Sequence, residues 1–297
     1  MSTEEISVIT GDGVTLAGLL WSVDQPTAAV IIHPATGVTQ RFYARFAQAL
    51  ALRGMAAITY DYRGTGGSRP ASLSGYSANV LDWMDKDVPS VTAWTARRFP
   101  CIPLFAVGHS VGGHAIGLTS GRGLQAAVLI ASHAGVTATI QGAWERLRVR
   151  LVVGVLAPLM CRIFGYMPSK RLGLGQDLPA GVMAQWLKWM RMPGYFFDDP
   201  DVLADGRFGL VRVPLLVMGF SDDPWANPTA IDLLAKYFTG VAIERRSVSP
   251  AEAGTSSIGH MGFFRLTDDS QIWMDVIAWL KSHVSRASEP VTSADSI

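Results

Sequence analysis

Cysteine is scarce in this chain of 297 residues: only Cys101 and Cys161 occur. Two are too few for a disulfide framework, and their separation matches no metal-ligand spacing. Cys101, at the entry to an apolar run, reads as a small buried residue. Charge of one sign is also missing, with 25 basic side chains against 24 acidic ones. That balance gives no electrostatic footprint for nucleic acid or for acidic lipid, whose recognition needs clustered Lys and Arg. Long hydrophobic runs are absent as well. The best candidate, Leu151 to Cys161, is interrupted by Pro158 and flanked by Arg148, Arg150 and Arg162. It is about half the ~20 residues that span a bilayer, so it reads as a buried or lid-forming helix. The opening MSTEEISVIT lacks the basic start and apolar core of a signal peptide. A cytoplasmic, reducing location is the expectation.

What the chain has is apolar bulk, 49% of its residues, enough to fill one large core with an insertion. Short β-branched runs alternate with helical patterns, which predicts an α/β fold with a parallel sheet wrapped by helices. The start differs: Ile6–Thr10 and Val14–Trp21 predict an antiparallel hairpin turning at Asp12-Gly13. Strands buried on both faces are predicted at Ala28–His33, Ala56–Tyr62, Ile102–Gly108 and Ala126–Ser132. Further strands are predicted at Pro214–Phe220 and Val241–Val248. Helices are predicted over Arg41–Arg53, Ser77–Phe99 and Gln271–Val284.

The segment 133–210 separates two strands by about 80 residues, far more than a βα crossover needs. Helical in pattern and rich in Trp, Met and Arg, it reads as a cap inserted into a core made of 1–132 and 211–286. Residues 287–297, rich in Ser and Ala, read as a flexible tail.

Chemistry enters at Gly108-His109-Ser110-Val111-Gly112-Gly113. This G-x-S-x-G pattern follows a strand and precedes a helix, the context in which a serine is lifted onto a tight, exposed turn. Val111 then offers a backbone N–H at a helix start to an oxyanion. A serine hydroxyl needs a base, and the chain has six histidines. His260 lies in IGHMGFF, a loop between the last strand and the closing helix, whereas His283 reads as a solvated helix position and His109 as pointing away from the chemistry. The base needs a carboxylate to orient it. Asp222 and Asp223 both end the strand after Pro214; Asp223, just before Pro224, is the preferred acid and Asp222 the alternative. A second oxyanion donor is expected from the turn His33-Pro34-Ala35-Thr36-Gly37, at Ala35 with Thr36 as alternative, because Pro34 has no N–H.

The motifs HPATGV, DYRGTGGS, GHSVGG, SDDPW and GHMGFF together resemble those of the α/β-hydrolase superfamily, in particular bacterial members similar to serine aminopeptidases. The resemblance covers most of the chain outside the cap. It implies the α/β-hydrolase fold, a Ser110–Asp223–His260 triad, and hydrolysis of an ester, thioester, amide or related bond without a cofactor or metal. One departure is His33-Pro34 where many members carry His-Gly, which bears on the oxyanion donor. The DYRGTGGS segment reads as a structural polar turn. Aromatic side chains in the cap suggest an apolar or aromatic acyl pocket lined by Trp186, Trp189 and Tyr195. The partner expected is a small-molecule acyl substrate, with no nucleic acid, no transmembrane segment and a possible homo-oligomer. An acyltransferase using the same acyl-enzyme, or a non-catalytic ligand receptor, are the alternatives.

Overall fold

The apolar runs of this sequence have no polar face, so each must be covered on both sides by other elements. In the computed structural model, which describes residues 1–284, they form the middle of an eight-stranded sheet. Its strands are β1 (Ser2–Ile9), β2 (Thr15–Ser22), β3 (Ala28–His33), β4 (Met55–Tyr60), β5 (Leu104–His109) and β6 (Ala126–Ile130). A two-residue ladder, β7 (Tyr166–Met167) with β8 (Leu178–Pro179), stands apart. The large sheet is completed by β9 (Leu215–Phe220) and β10 (Ile243–Val248). Its spatial order is β1-β2-β4-β3-β5-β6-β9-β10. The hairpin strands β1 and β2 run antiparallel and the rest run parallel to one another. The expected mostly parallel sheet with an N-terminal hairpin is therefore the observed one.

Ten helices surround it among the described residues: α1 (Ala44–Leu52), α2 (Val80–Asp82), α3 (Val88–Arg98), α4 (Val111–Leu118), α5 (Ala143–Leu151), α6 (Ala157–Phe164), α7 (Ala180–Trp189), α8 (Ala204–Gly209), α9 (Pro228–Ala235) and α10 (Gln271–Ser282). The helix predicted over Ser77–Phe99 starts at Val80, where Asn79 and Asp82 form a reciprocal capping box. A π turn at Trp83–Asp87 separates α2 from α3. The cause lies in Pro89, whose ring displaces the carbonyl one turn back and widens the winding. The same device recurs at Val152–Leu156, a π turn just before Pro158, which joins α5 to α6.

The DYRGTGGS segment is built into the core. Arg63 is buried and pairs with Asp87 and Asp12, both at 2.7 Å, tying the hairpin turn to the π turn. Asp61 accepts from the Gln40 and Gly67 backbone N–H groups, each at 2.8 Å.

Some sequence expectations are corrected. Cys101 is exposed, because β5 begins only at Leu104 and the cysteine sits in the preceding turn. His283 is buried, its ring 4.3 Å from that of Trp279 and its Nδ1 donating to the Trp279 carbonyl at 2.9 Å. The segment between β6 and β9 is mainly helical but also holds the β7–β8 ladder. The tail expected at 287–297 lies outside the described residues.

Candidate active site

The parallel strands all end on one edge of the sheet, and three loops leaving that edge carry polar side chains to one point. The first is the turn between β5 and α4. Ser110 sits there at φ 53°, ψ −117°, a region costly for a residue with a Cβ. Surrounding contacts hold it: the Ser110 N–H donates to the Ile130 carbonyl at 3.0 Å, and its own carbonyl accepts from Gly113 at 3.0 Å. The turn closes only with glycine at two places. A Cβ on Gly108 would strike the Gly112 carbonyl, and one on Gly112 would strike the His33 carbonyl.

The second loop follows β9. Asp223 is buried, and its Oδ1 accepts from the Trp225 and Ala226 N–H groups at 2.8 and 3.0 Å. Its Oδ2 accepts from His260 Nδ1 at 2.7 Å. A carboxylate can only accept, so the imidazole proton lies on Nδ1. Nε2 is then left to accept from the Ser110 hydroxyl, 3.0 Å away. Burial alone would raise the Asp223 carboxyl, but the bonds from His260, Ala226 and Trp225 outweigh it and hold the group below the usual range.

The third loop carries His260 between β10 and α10, and Asp222 shapes it. Its carboxylate accepts from the Ser257 hydroxyl and the Ile258 and Gly259 N–H groups at 2.9 to 3.0 Å. Gly259, at φ 54°, supplies the left-handed step that brings the imidazole back over the strand ends. Beyond it, Phe263 and Phe264 are fully buried against Phe46 and Tyr43 and anchor the loop. The two adjacent aspartates thus divide the work: Asp223 reaches the ring, and Asp222 fixes the backbone that presents it.

His109 lies closer to this arrangement than its place in the sequence suggests. It is fully buried, with Nε2 2.9 Å from the His260 carbonyl and Nδ1 2.9 Å from the Tyr43 hydroxyl. Nε2 must donate to that carbonyl, so Nδ1 accepts from Tyr43. The same hydroxyl accepts the Ala35 N–H at 2.8 Å. A buried chain of hydrogen bonds therefore links the Pro34 turn to the His260 loop. Burial, then the neighbouring His260, holds the His109 ring down to about 3, so it is neutral. His33 also stays neutral, pushed down to about 3 by burial, with Nδ1 2.8 Å from the Tyr60 hydroxyl.

This chain corrects one expectation. Ala35 lines the cavity, but its N–H is committed to Tyr43, whose hydroxyl reaches back from the turn at Gln40–Tyr43. The Thr36 N–H makes no hydrogen bond among the described residues, and Thr36 also lines the cavity. Val111 opens α4 directly after Ser110, where a helix leaves its first N–H groups free.

Ser110 and His260 open into a cavity of about 210 Å³ whose walls are mostly apolar. Val136, Ile140, Trp186, Met190, Tyr195 and Trp225 line it, all but Trp225 from the segment between β6 and β9. Of the three aromatic residues expected at an acyl pocket, Trp186 and Tyr195 are among the side chains lining this cavity. Trp189 does not reach the cavity: it is buried, and its indole N–H donates to Asp199 at 2.7 Å. Helical spacing could not separate it from Trp186. Trp225 was not singled out, although it stands in the SDDPW motif; its indole N–H donates to Glu145 of α5 at 3.1 Å. His133 also lines the cavity, edge-on to His260 with ring centres 5.3 Å apart, and burial holds it neutral, at about 3. No group of His, Cys, Asp and Glu among the described residues is arranged to hold a metal ion.

A family model described as serine aminopeptidase, S33, matches residues 24–177 of the chain. No curated protein sequence matches it. Among solved structures, it is similar to an α/β hydrolase, GrgF, from Penicillium sp. sh18, with a TM-score of 0.63 at 16% identity over 96% of this chain and 99% of that one. It is similar also to a highly thermostable carboxyl esterase from Bacillus coagulans, with a TM-score of 0.60 at 15% identity over 96% and 99% of the two chains. A thioesterase domain from the curacin biosynthetic pathway superposes with a TM-score of 0.54 at 15% identity, over 96% of this chain and all 100% of that one. At these identities the likeness is one of fold, the α/β-hydrolase fold.

Proposed function

Because the chain belongs to the hydrolase family described as serine aminopeptidase, S33, we propose that it cleaves an ester or related acyl bond through an acyl-enzyme on Ser110. One observation carries the reading: the unbroken line from the Ser110 hydroxyl through His260 to Asp223, at 3.0 and 2.7 Å. In this reading His260 Nε2 takes the Ser110 proton as Oγ attacks the substrate carbonyl. Asp223 holds the ring in the tautomer that can do so and stabilises its charged form.

The developing oxyanion is met by the Val111 N–H and, since the Ala35 N–H is engaged, by that of Thr36. His260 then protonates the leaving group. A water, activated by the same ring, attacks the acyl-enzyme and releases the acid. The segment 133–210 acts as a cap over this chemistry, with Trp186 and Tyr195 walling an apolar or aromatic acyl site. A confined cavity of about 210 Å³ suits a medium acyl chain or single ring.

The test is a panel of nitrophenyl esters, thioesters and amides graded in acyl length, with fluorophosphonate labelling in parallel. The expected result is labelling at Ser110 and a preference for medium-chain or aromatic acyl groups over acetyl. Failure of labelling in folded protein would overturn the reading, and an acetyl preference would overturn the apolar site.

A further inference from the structure

The segment between β6 and β9 carries a surface that the proposed hydrolysis does not use. From Ala143 to Phe164, helix α5, the π turn and α6 run on without a break. One side is packed inward through Val149, Val153 and Ala157. The opposite side exposes Trp144, Leu147, Leu151, Val155, Leu159 and Ile163, with Trp144 at 76% and Val155 and Ile163 at 61%. Their spacing is three residues and then four at each step. In a regular α-helix a four-residue repeat drifts about 40° per step; the wider π turn at Val152–Leu156 takes up part of that drift and keeps the stripe on one side. Large apolar groups left in water in a continuous row mark an interaction surface.

Charge identifies what covers it. Between Arg146 and Gln176 the sequence holds six cations, Arg146, Arg148, Arg150, Arg162, Lys170 and Arg171, and no acid. Near neutrality over the whole chain conceals this local excess. Arg150, Arg162, Lys170 and Arg171 are exposed and form no salt bridge among the described residues, whereas Arg148 pairs with Glu145. Arg171 packs over the Phe164 ring, 5.8 Å from its centre, where the loop bearing the exposed Leu172 and Leu174 meets the helix end. Leu174 also lines the cavity of Ser110, so the apolar surface reaches the cavity mouth.

From this geometry we infer that residues 143–174 dock on the surface of an anionic phospholipid bilayer. The Trp144–Ile163 stripe lies among the acyl chains just below the headgroups, and the four free cations meet the lipid phosphates. The helix lies on the membrane and does not cross it, since its other face is part of the protein core, and no described helix is long and apolar enough to span. A second copy seated face to face would bring these cations against their equivalents. A nucleic acid would leave the apolar stripe without a partner.

The experiment uses the full chain with sedimented vesicles of phosphatidylcholine, alone or with phosphatidylglycerol. The expected result is binding to the anionic vesicles, weakening as salt rises. Replacing Arg150, Arg162, Lys170 and Arg171 with Gln should weaken it by about fivefold per cation. The variant L151Q/V155Q/L159Q/I163Q should lose more than about tenfold. Both variants should hydrolyse a short soluble ester, or melt, as the unaltered chain does, because none of these side chains lines the cavity. Absence of binding to anionic vesicles at low salt would overturn the inference, as would undiminished binding by the apolar-face variant. A dimer in solution that those same substitutions dissolve would assign the face to a second copy instead.

Discussion

Replacing Asp223 and Asp222 one at a time with Asn tests the proposed chemistry at its most specific point. In Asp223→Asn, the amide oxygen stays with the Trp225 and Ala226 N–H groups that now bond Oδ1 at 2.8 and 3.0 Å. The NH₂ then faces His260 Nδ1, where the carboxylate accepted at 2.7 Å. Two donors cannot pair, so the ring shifts its proton to Nε2, the nitrogen 3.0 Å from Ser110 Oγ, and loses its capacity as a base. The same change in other serine triads lowers kcat by about 10⁴, equal to roughly 5.4 kcal/mol of barrier. Asp222→Asn keeps one oxygen for the Ile258 or Gly259 N–H and loses a charge-assisted bond or two, about 1.5–3 kcal/mol each. That loss falls on loop stability, so kcat should drop by no more than about tenfold. Steady-state hydrolysis of a nitrophenyl ester, with denaturant unfolding of each variant, separates the two effects. A larger kcat loss at Asp222, or one within tenfold at Asp223, would refute the assignment.

Ser110→Ala should remove about 10⁴- to 10⁶-fold of kcat and all fluorophosphonate labelling while the melting curve stays close to the parent's; retained labelling would place the nucleophile elsewhere. Tyr43→Phe leaves the buried Ala35 N–H and His109 Nδ1 without their shared partner, a stability loss of about 2–4 kcal/mol measurable in urea. With Thr36 rather than Ala35 meeting the oxyanion, kcat of the folded variant should stay within about tenfold, and a collapse of kcat would show that Tyr43 acts on the reacting atoms. Stability should fall as pH drops below the ordinary histidine value of 6.5. Burial holds His33, His109 and His133 down to about 3 and His114 down to about 4, so between those limits the unfolded chain binds protons that the folded chain refuses. Asp87, pushed up to about 6 by burial, and Asp61, also raised by burial, act in the opposite sense. The net of roughly two to three protons amounts to about 3–4 kcal/mol per pH unit near pH 5. Unfolding midpoints in urea that stay flat from pH 7 to 5 would refute this.

Much of the fold was written in local patterns. Strands such as Ala28–His33, buried on both faces, are unbroken apolar runs, and the observed strand keeps the predicted bounds. The GHSVGG turn was legible because close packing at Gly108 and Gly112 excludes any side chain there. Boundaries were less so where proline intervened: nothing in the apolar periodicity announces the π turns before Pro89 and Pro158. Cys101 and His283 were misplaced because burial at an element's end depends on what packs over it from elsewhere in the chain.

Chain order alone determined that a serine, an acid and a histidine would leave the same edge of a parallel sheet, since every parallel strand must end there. Folding in three dimensions decided the rest. It gave the imidazole to one of two adjacent carboxylates, because Asp222 is taken up by the loop N–H groups. It engaged the Ala35 N–H with a tyrosine eight residues away, and it turned Trp186 toward the cavity and Trp189 into the core. It also left four cations that form no salt bridge among the described residues, Arg150, Arg162, Lys170 and Arg171, exposed near an apolar stripe on a chain whose charges otherwise cancel. Composition sums over the chain, whereas a surface is made by the side chains that folding leaves uncovered.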